Sequence, residues 1–267
     1  MEAITADRQR VMRLCMETGR MLLTDGGEIF RVQETMERMA RAYGVGDFHV
    51  YVITNGLFAS ISAEGESSIG DVRYVPASRV HLGRLTAINA LSRDIEAGGV
   101  SLDEALRRLD EIRSLPFLSA GRRILACGVG AACFSYLFGG TVADAAVALL
   151  AGLLMQCFAN ALEKHSVNKI IYNILTAGLV ALISLVCTQI CRVAGLPLAL
   201  NMDKIIIGGI IPLVPGMALT TAIRDFAGGD YLSGTIRLID ALLVASAIAI
   251  GVGAVLVTAG RLPGVVL

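Results

Sequence analysis

Tryptophan is missing from the 267 residues, histidine occurs three times, and aromatic side chains make up only 5%. His49 and His81 are isolated, so neither belongs to a catalytic grouping. An excess of charge is absent as well. Twenty-three basic residues balance 23 acidic ones, so the basic footprint of a nucleic-acid partner is lacking. Charge also thins out along the chain: only 13 of the 46 charged side chains lie after residue 123. A soluble domain carries charge on about a quarter of its residues. No cleavable leader is visible, because residues 1–9 are polar and the first helical pattern is amphipathic. The six cysteines do not cluster like metal ligands; Cys187 and Cys191, four apart on a helix, read as small apolar packing residues. There is no nucleophile–histidine–acid grouping and no phosphate loop, so no cofactor or metal is expected.

What is present falls into two parts, an α+β domain over residues 1–121 and a helical membrane domain over residues 122–267. In the first, Val11, Leu14, Cys15, Thr18 and Leu22 repeat with a helical period, and Gly26-Gly27 stops that helix. A second helix follows over residues 28–43, burying Val32, Met36 and Met39. The period then becomes two. Residues 49–54 and 57–62 read as strands joined at Asn55-Gly56, with a third strand at 71–75 stopped by Pro76. Helices are predicted over 79–96 and, opened by the Ser101–Glu104 capping box, up to about residue 114. Pro116 marks the exit. Gly26-Gly27-Glu28 with Arg31 reads as a helix-turn-helix corner, and His49 as a strand residue; His81 stands alone.

The second part holds five apolar segments of roughly spanning length, over residues 123–138, 141–162, 168–191, 204–223 and 236–258. Basic residues set the expected orientation. Arg122, Arg123, Lys164, Lys169, Arg224 and Arg237 fall on one side, against Arg192, Lys204 and Arg261 on the other. That asymmetry places the N-terminus in the cytoplasm and the C-terminus outside a cell or inner membrane. Lipid is thus an expected partner. On the second segment Gln156 and Asn160 share a face with Ala148 and Gly152, which suits either a polar path or helix packing. Asp144 reads as part of a cap with Thr141. Asp240 is a candidate proton-linked carboxylate, with Arg237 as its simple ion-pair partner.

The fourth segment is broken by Pro212, Pro215 and Gly216. Two missing donors and a flexible residue at that depth require a protein-lined or wet surrounding. Pro215 suits the first position of a new half-helix, leaving the amides of Gly216, Met217 and Ala218 to hold a carboxylate. Thr220 and Thr221 lie one turn on. Pro212, Pro215, Gly216, Met217, Thr220, Thr221, Gln156 and Asn160 are therefore candidate substrate contacts. Arg224, Asp225, Asp230 and Asp240 are candidate gating or proton-coupling residues.

The run from Pro212 through Arg224-Asp225 to Gly234 closely resembles a signature of the threonine/serine exporter family, and residues 22–36 resemble that family's other conserved stretch. The resemblance implies export of threonine and serine driven by the proton gradient, as an antiporter. It further implies a split assembly, in which this chain is the larger subunit beside a second small membrane subunit, with oligomerisation. Some split members are associated with succinate, which makes a dicarboxylate the alternative solute. Thr221 departs from the family, which often has asparagine there. The resemblance does not suggest an enzyme; a membrane-anchored enzyme or a sensor with its site in residues 1–121 is the competing class.

Overall fold

The computed structural model describes residues 2–62, 68–76, 80–165, 167–195 and 199–261. It divides into two units, Met1–Phe117 with Thr220–Arg237, and Leu118–Leu219 with Leu238–Leu267.

The first unit begins with α1 (Glu2–Thr24) and α2 (Ile29–Ala42). The apolar stripe expected on α1 is buried, and its Cys15 thiol, fully enclosed, is pushed up to about 12 by burial. Strands β1 (Phe48–Ile53), β2 (Gly56–Ile61) and β3 (Ile69–Tyr74) form an antiparallel sheet in that order. The hairpin turns at Thr54-Asn55, one residue ahead of the expected Asn55-Gly56, since Ile53 pairs with Gly56. The Asn55 carbonyl is occupied by the Val75 amide at 2.8 Å, which draws Gly56 into the sheet opposite Tyr74. One sheet face, with Phe48, Val52, Leu57 and Ile61, enters the core; the other leaves Tyr51, Phe58, Val72 and Tyr74 exposed. Helices α3 (Leu82–Glu96) and α4 (Leu102–Arg113) follow. The predicted start of α3 at Arg79 lies outside the described residues. His81 caps α3 and Ser101 caps α4, each accepting a backbone N–H three residues on.

The second unit contains α5 (Ala120–Leu137), α6 (Val142–Glu163), α7 (Lys169–Val193) and α8 (Met202–Ile210). After a 3-10 turn, α9 (Gly216–Ala227) carries the chain into the first unit, and α10 (Tyr231–Gly260) returns from it. Among the described residues, α6, α7 and α10 are long and apolar enough to cross a membrane, with a fourth if the α8–α9 pair is one span. The expected count of five is not reached, because α5 opens with Arg122 and Arg123 in its first turn. Small residues set the helix spacing. Cβ atoms at Gly152 and Gly208 would sit 2.9 Å from the Ala131 side chain and 2.6 Å from its carbonyl, so α6 and α8 both lie against α5. Likewise, a Cβ at Gly251 of α10 would meet the Ile174 carbonyl of α7 at 2.3 Å.

Candidate functional site

The helix break lies where the proline spacing puts it. After α8 the chain makes the 3-10 turn Ile211–Leu213, Val214 is extended, and α9 starts at Gly216, bent 60° from α8. Pro215 stands one position ahead of the expected N1: its carbonyl accepts the Leu219 amide at 3.1 Å. The Gly216 amide, expected to be available for a carboxylate, donates to the Val214 carbonyl at 2.8 Å. Removing Pro215 as a donor tightens the turn onto the nearest remaining carbonyl, which consumes that amide. Pro212, Val214, Gly216, Met217 and Thr220 are exposed, while Pro215 and Thr221 are half-buried. On the inner side of the break, Ile210 and Leu213 pack against Met155, Ala159, Val180 and Val244.

Elsewhere in the second unit the polar side chains have local duties. The Gln156 amide donates to Asn160 at 3.0 Å, and the Arg123 guanidinium bonds both Asn160 and, at 2.8 Å, Glu163. Asn173, Thr176, Ser184 and Thr188 each donate to the carbonyl four residues back in α7. Asp144 completes a capping box with Thr141 and also accepts from the backbone and side chain of Asn201, at 2.7 and 3.0 Å. Asp240 pairs with Lys169 at 2.7 Å. The expected partner Arg237 is turned toward Asp225 instead.

In the first unit a charge cluster forms on the corner between α1 and α2. Gly26, at φ +93°, supplies the left-handed turn that a side chain would strain. Glu28 stands at the start of α2 without a side-chain cap bond, and faces Arg31 at 3.1 Å and Arg224 of α9. The buried Asp225 faces Arg237 at 3.3 Å, and Arg237 also donates to the Gly27 carbonyl at 3.4 Å. Asp230 caps α10, accepting from the Ser233 amide at 3.0 Å. The two stretches singled out in the sequence, 22–36 and 212–234, therefore meet through their charged residues.

A second group on the same corner was not legible in advance. Asp25 is fully buried, with Arg84 at 3.4 Å. Burial pushes its carboxyl above the ordinary value, against the pull of Arg84, His81 and Arg20. His81 contacts the Pro116 carbonyl at 3.2 Å and lies against the Phe117 ring, with 4.7 Å between centroids. Arg84 lies over the same ring at 5.0 Å and donates to the Leu115 carbonyl. Among the described residues no group of three or more His, Cys, Asp or Glu side chains is placed to hold a metal.

A family model described as "Putative threonine/serine exporter" matches residues 13–259. The chain is 25% identical to a "Probable threonine/serine exporter" of Mycobacterium tuberculosis, over 91% of this chain and 45% of that one. It is 24% identical to a "Threonine/serine exporter" of Corynebacterium glutamicum, over 91% of this chain and 50% of that one. It is 23% identical to a "Probable succinate transporter subunit YjjP" of Klebsiella aerogenes, over 94% and 95%. The chain thus spans about half the length of the two exporters and nearly all of the succinate relative. No solved structure matches.

Proposed function

The chain belongs to the threonine/serine exporter family, a family of transporters rather than enzymes, and on that premise we propose that it is a membrane transporter subunit for small carboxylate-bearing solutes. The observation that carries the reading is the apolar α8–α9 segment, broken at Pro212–Gly216 within a match that covers residues 13–259. Helix breaks of this kind bring polar backbone to a solute at membrane depth. We place solute contact on the break and the first turns of α9, at Pro212, Pro215, Gly216, Met217, Thr220 and Thr221. Gln156 and Asn160 extend the polar path along α6. Serine, threonine and succinate, the solutes in the relatives' names, have a carboxylate in common.

Assembly with a second small membrane subunit is the arrangement we propose, supported by the succinate relative being named a transporter subunit. The basic-residue asymmetry supports a cytoplasmic N-terminus. Of the candidate proton-coupling carboxylates, Asp230 is engaged as a cap, Asp240 by Lys169 and the buried Asp225 by Arg237.

Efflux from preloaded cells lacking their own exporters tests this reading. The chain is expressed alone and with the small membrane protein encoded beside it, with serine, threonine and succinate as cargo. Solute efflux in the paired strain that Pro215→Leu abolishes, with insertion intact, is the expected result. Efflux unaffected by Pro215→Leu, or absent in both strains, rejects the proposal.

A further inference from the structure

We infer that Arg224 is a carboxylate-recognition residue whose resting partner, Glu28, occupies the place of the solute's carboxylate; this rests on the transporter reading above. One ion pair, Glu28–Arg224, and one hydrogen bond, from Arg237 to the Gly27 carbonyl, tie α9 and the start of α10 to the α1–α2 corner; a second ion pair, Asp225–Arg237, joins α9 to α10, and the two pairs differ in kind. The Asp225–Arg237 pair is sealed, with side chains 2% and 17% exposed. Arg237 is also fixed to the Gly27 carbonyl. Removing either partner strands a charge, so this pair is a permanent fastening. The Glu28–Arg224 pair is open: Arg224 is 55% exposed and Glu28 20%. Ion pairs this wet are weak and exchange partners readily.

The surroundings make exchange possible without loss. When Arg224 leaves, Glu28 keeps Arg31 at 3.1 Å. Arg224 itself presents a planar fork of donors that matches any carboxylate in two-pronged fashion. It lies one turn beyond Thr220 and Thr221 on the same helix. Asp225, the adjacent acid, makes its ion pair with Arg237. A carboxylate-bearing solute that reaches α9 therefore meets a guanidinium paired with an internal carboxylate. Serine, threonine and succinate would all be recognised through that one group, with the rest of the solute left to neighbouring contacts.

A purely structural strut predicts different behaviour, which makes the two roles separable. Binding of L-serine and of succinate to the full-length chain in lipid vesicles is titrated for the parental protein, Glu28→Gln, Arg224→Gln, and the swap Glu28→Arg with Arg224→Glu. Recognition with a resident competitor requires opposite signs. Glu28→Gln tightens the binding of both solutes by about three- to tenfold, Arg224→Gln weakens both by tenfold or more, and the swap stays weak. If both single variants weaken binding alike, or the swap restores it, the pair is a strut and the inference is overturned. If the parental chain binds none of these solutes in vesicles, alone or with the small membrane protein encoded beside it, and the paired strain exports none, the transporter reading fails and takes this inference with it. If the parental chain binds but Glu28→Gln does not tighten binding, only the inference falls.

Discussion

Replacing Gly208 with alanine adds one carbon at the point where α8 touches α5. That carbon would stand 2.6 Å from the Ala131 carbonyl oxygen and 2.7 Å from both the backbone nitrogen and the Cβ of Ser135. Two of the three atoms are backbone, so no side-chain rotation relieves the contact. Nor does α5 have room to retreat. Behind it, a Cβ at Gly152 of α6 would already be 3.0 Å from the Gly128 Cα. Helix α8 must therefore shift, taking with it the packing of Ile205 against Ala131 and Ala148. Overpacking of this sort costs about 1–3 kcal/mol. For a chain of this size that lowers the unfolding midpoint by about 3–10 °C. The control is Gly216→Ala, where an added Cβ meets nothing within 4 Å, so the midpoint holds or rises slightly as alanine favours the helix. Thermal unfolding of the full-length chain in detergent measures both. Equal midpoints for Gly208→Ala and parental protein, or a larger loss for Gly216→Ala, would refute the packing described for α8.

Glu17→Gln tests the arginine cluster of the first unit. Burial pulls the Glu17 carboxyl up, but Arg20, Arg113 and Arg73 outweigh it and hold it below the ordinary 4.5. A depressed folded-state value contributes stability above pH 4.5 that is lost as pH falls through that lower value. The parental chain should therefore exceed the variant by about 1 kcal/mol at pH 7, with the gap closing in acid; a gap that does not shrink contradicts the linkage. Asp144→Ala removes an acceptor of four hydrogen bonds, from the backbone and side chains of Thr141 and Asn201. A loss of about 2–4 kcal/mol in full-length unfolding is expected, and a loss below 0.5 kcal/mol would speak against the Asn201 contacts.

Much of the fold was legible because it depends on local chemistry. The α1 stripe, the glycine stop at residues 26–27, the sheet after a change of period, and the proline break in the fourth apolar segment all follow from neighbours in sequence. The one-residue shift of the hairpin was hidden because a partner far along the chain, Val75, decided which carbonyl was taken. Arg237 illustrates the same limit. Sequence spacing pairs it with Asp240 on its own helix, but a long guanidinium is free to choose, and the buried Asp225 with the Gly27 carbonyl offers the better-desolvated partners. Asp240 then falls to Lys169, 71 positions away. The amide expected at Gly216 was lost to a turn too short for periodicity to register.

The meeting of residues 22–36 with residues 220–237 gives the candidate site its logic. Each stretch alone has a bland account: a glycine corner with an acid at a helix start, and a kinked apolar helix followed by charges. Together they share one ion pair and one backbone hydrogen bond. Glu28 has Arg31 nearby, yet it also draws Arg224. Asp225 would be a buried, unpaired carboxylate without Arg237, and Arg237 in turn completes its contacts on a carbonyl of the corner. Burying an unpaired charge costs several kcal/mol, so α9 and the start of α10 must meet to satisfy Asp225, and the corner then completes the contacts of Arg237. The same dependence does not extend to Glu28 and Arg224, both of which reach water. Residues that must stay and residues that are free to change partner are thus interleaved on one helix, Asp225 beside Arg224, immediately after the break that carries the proposed solute contacts.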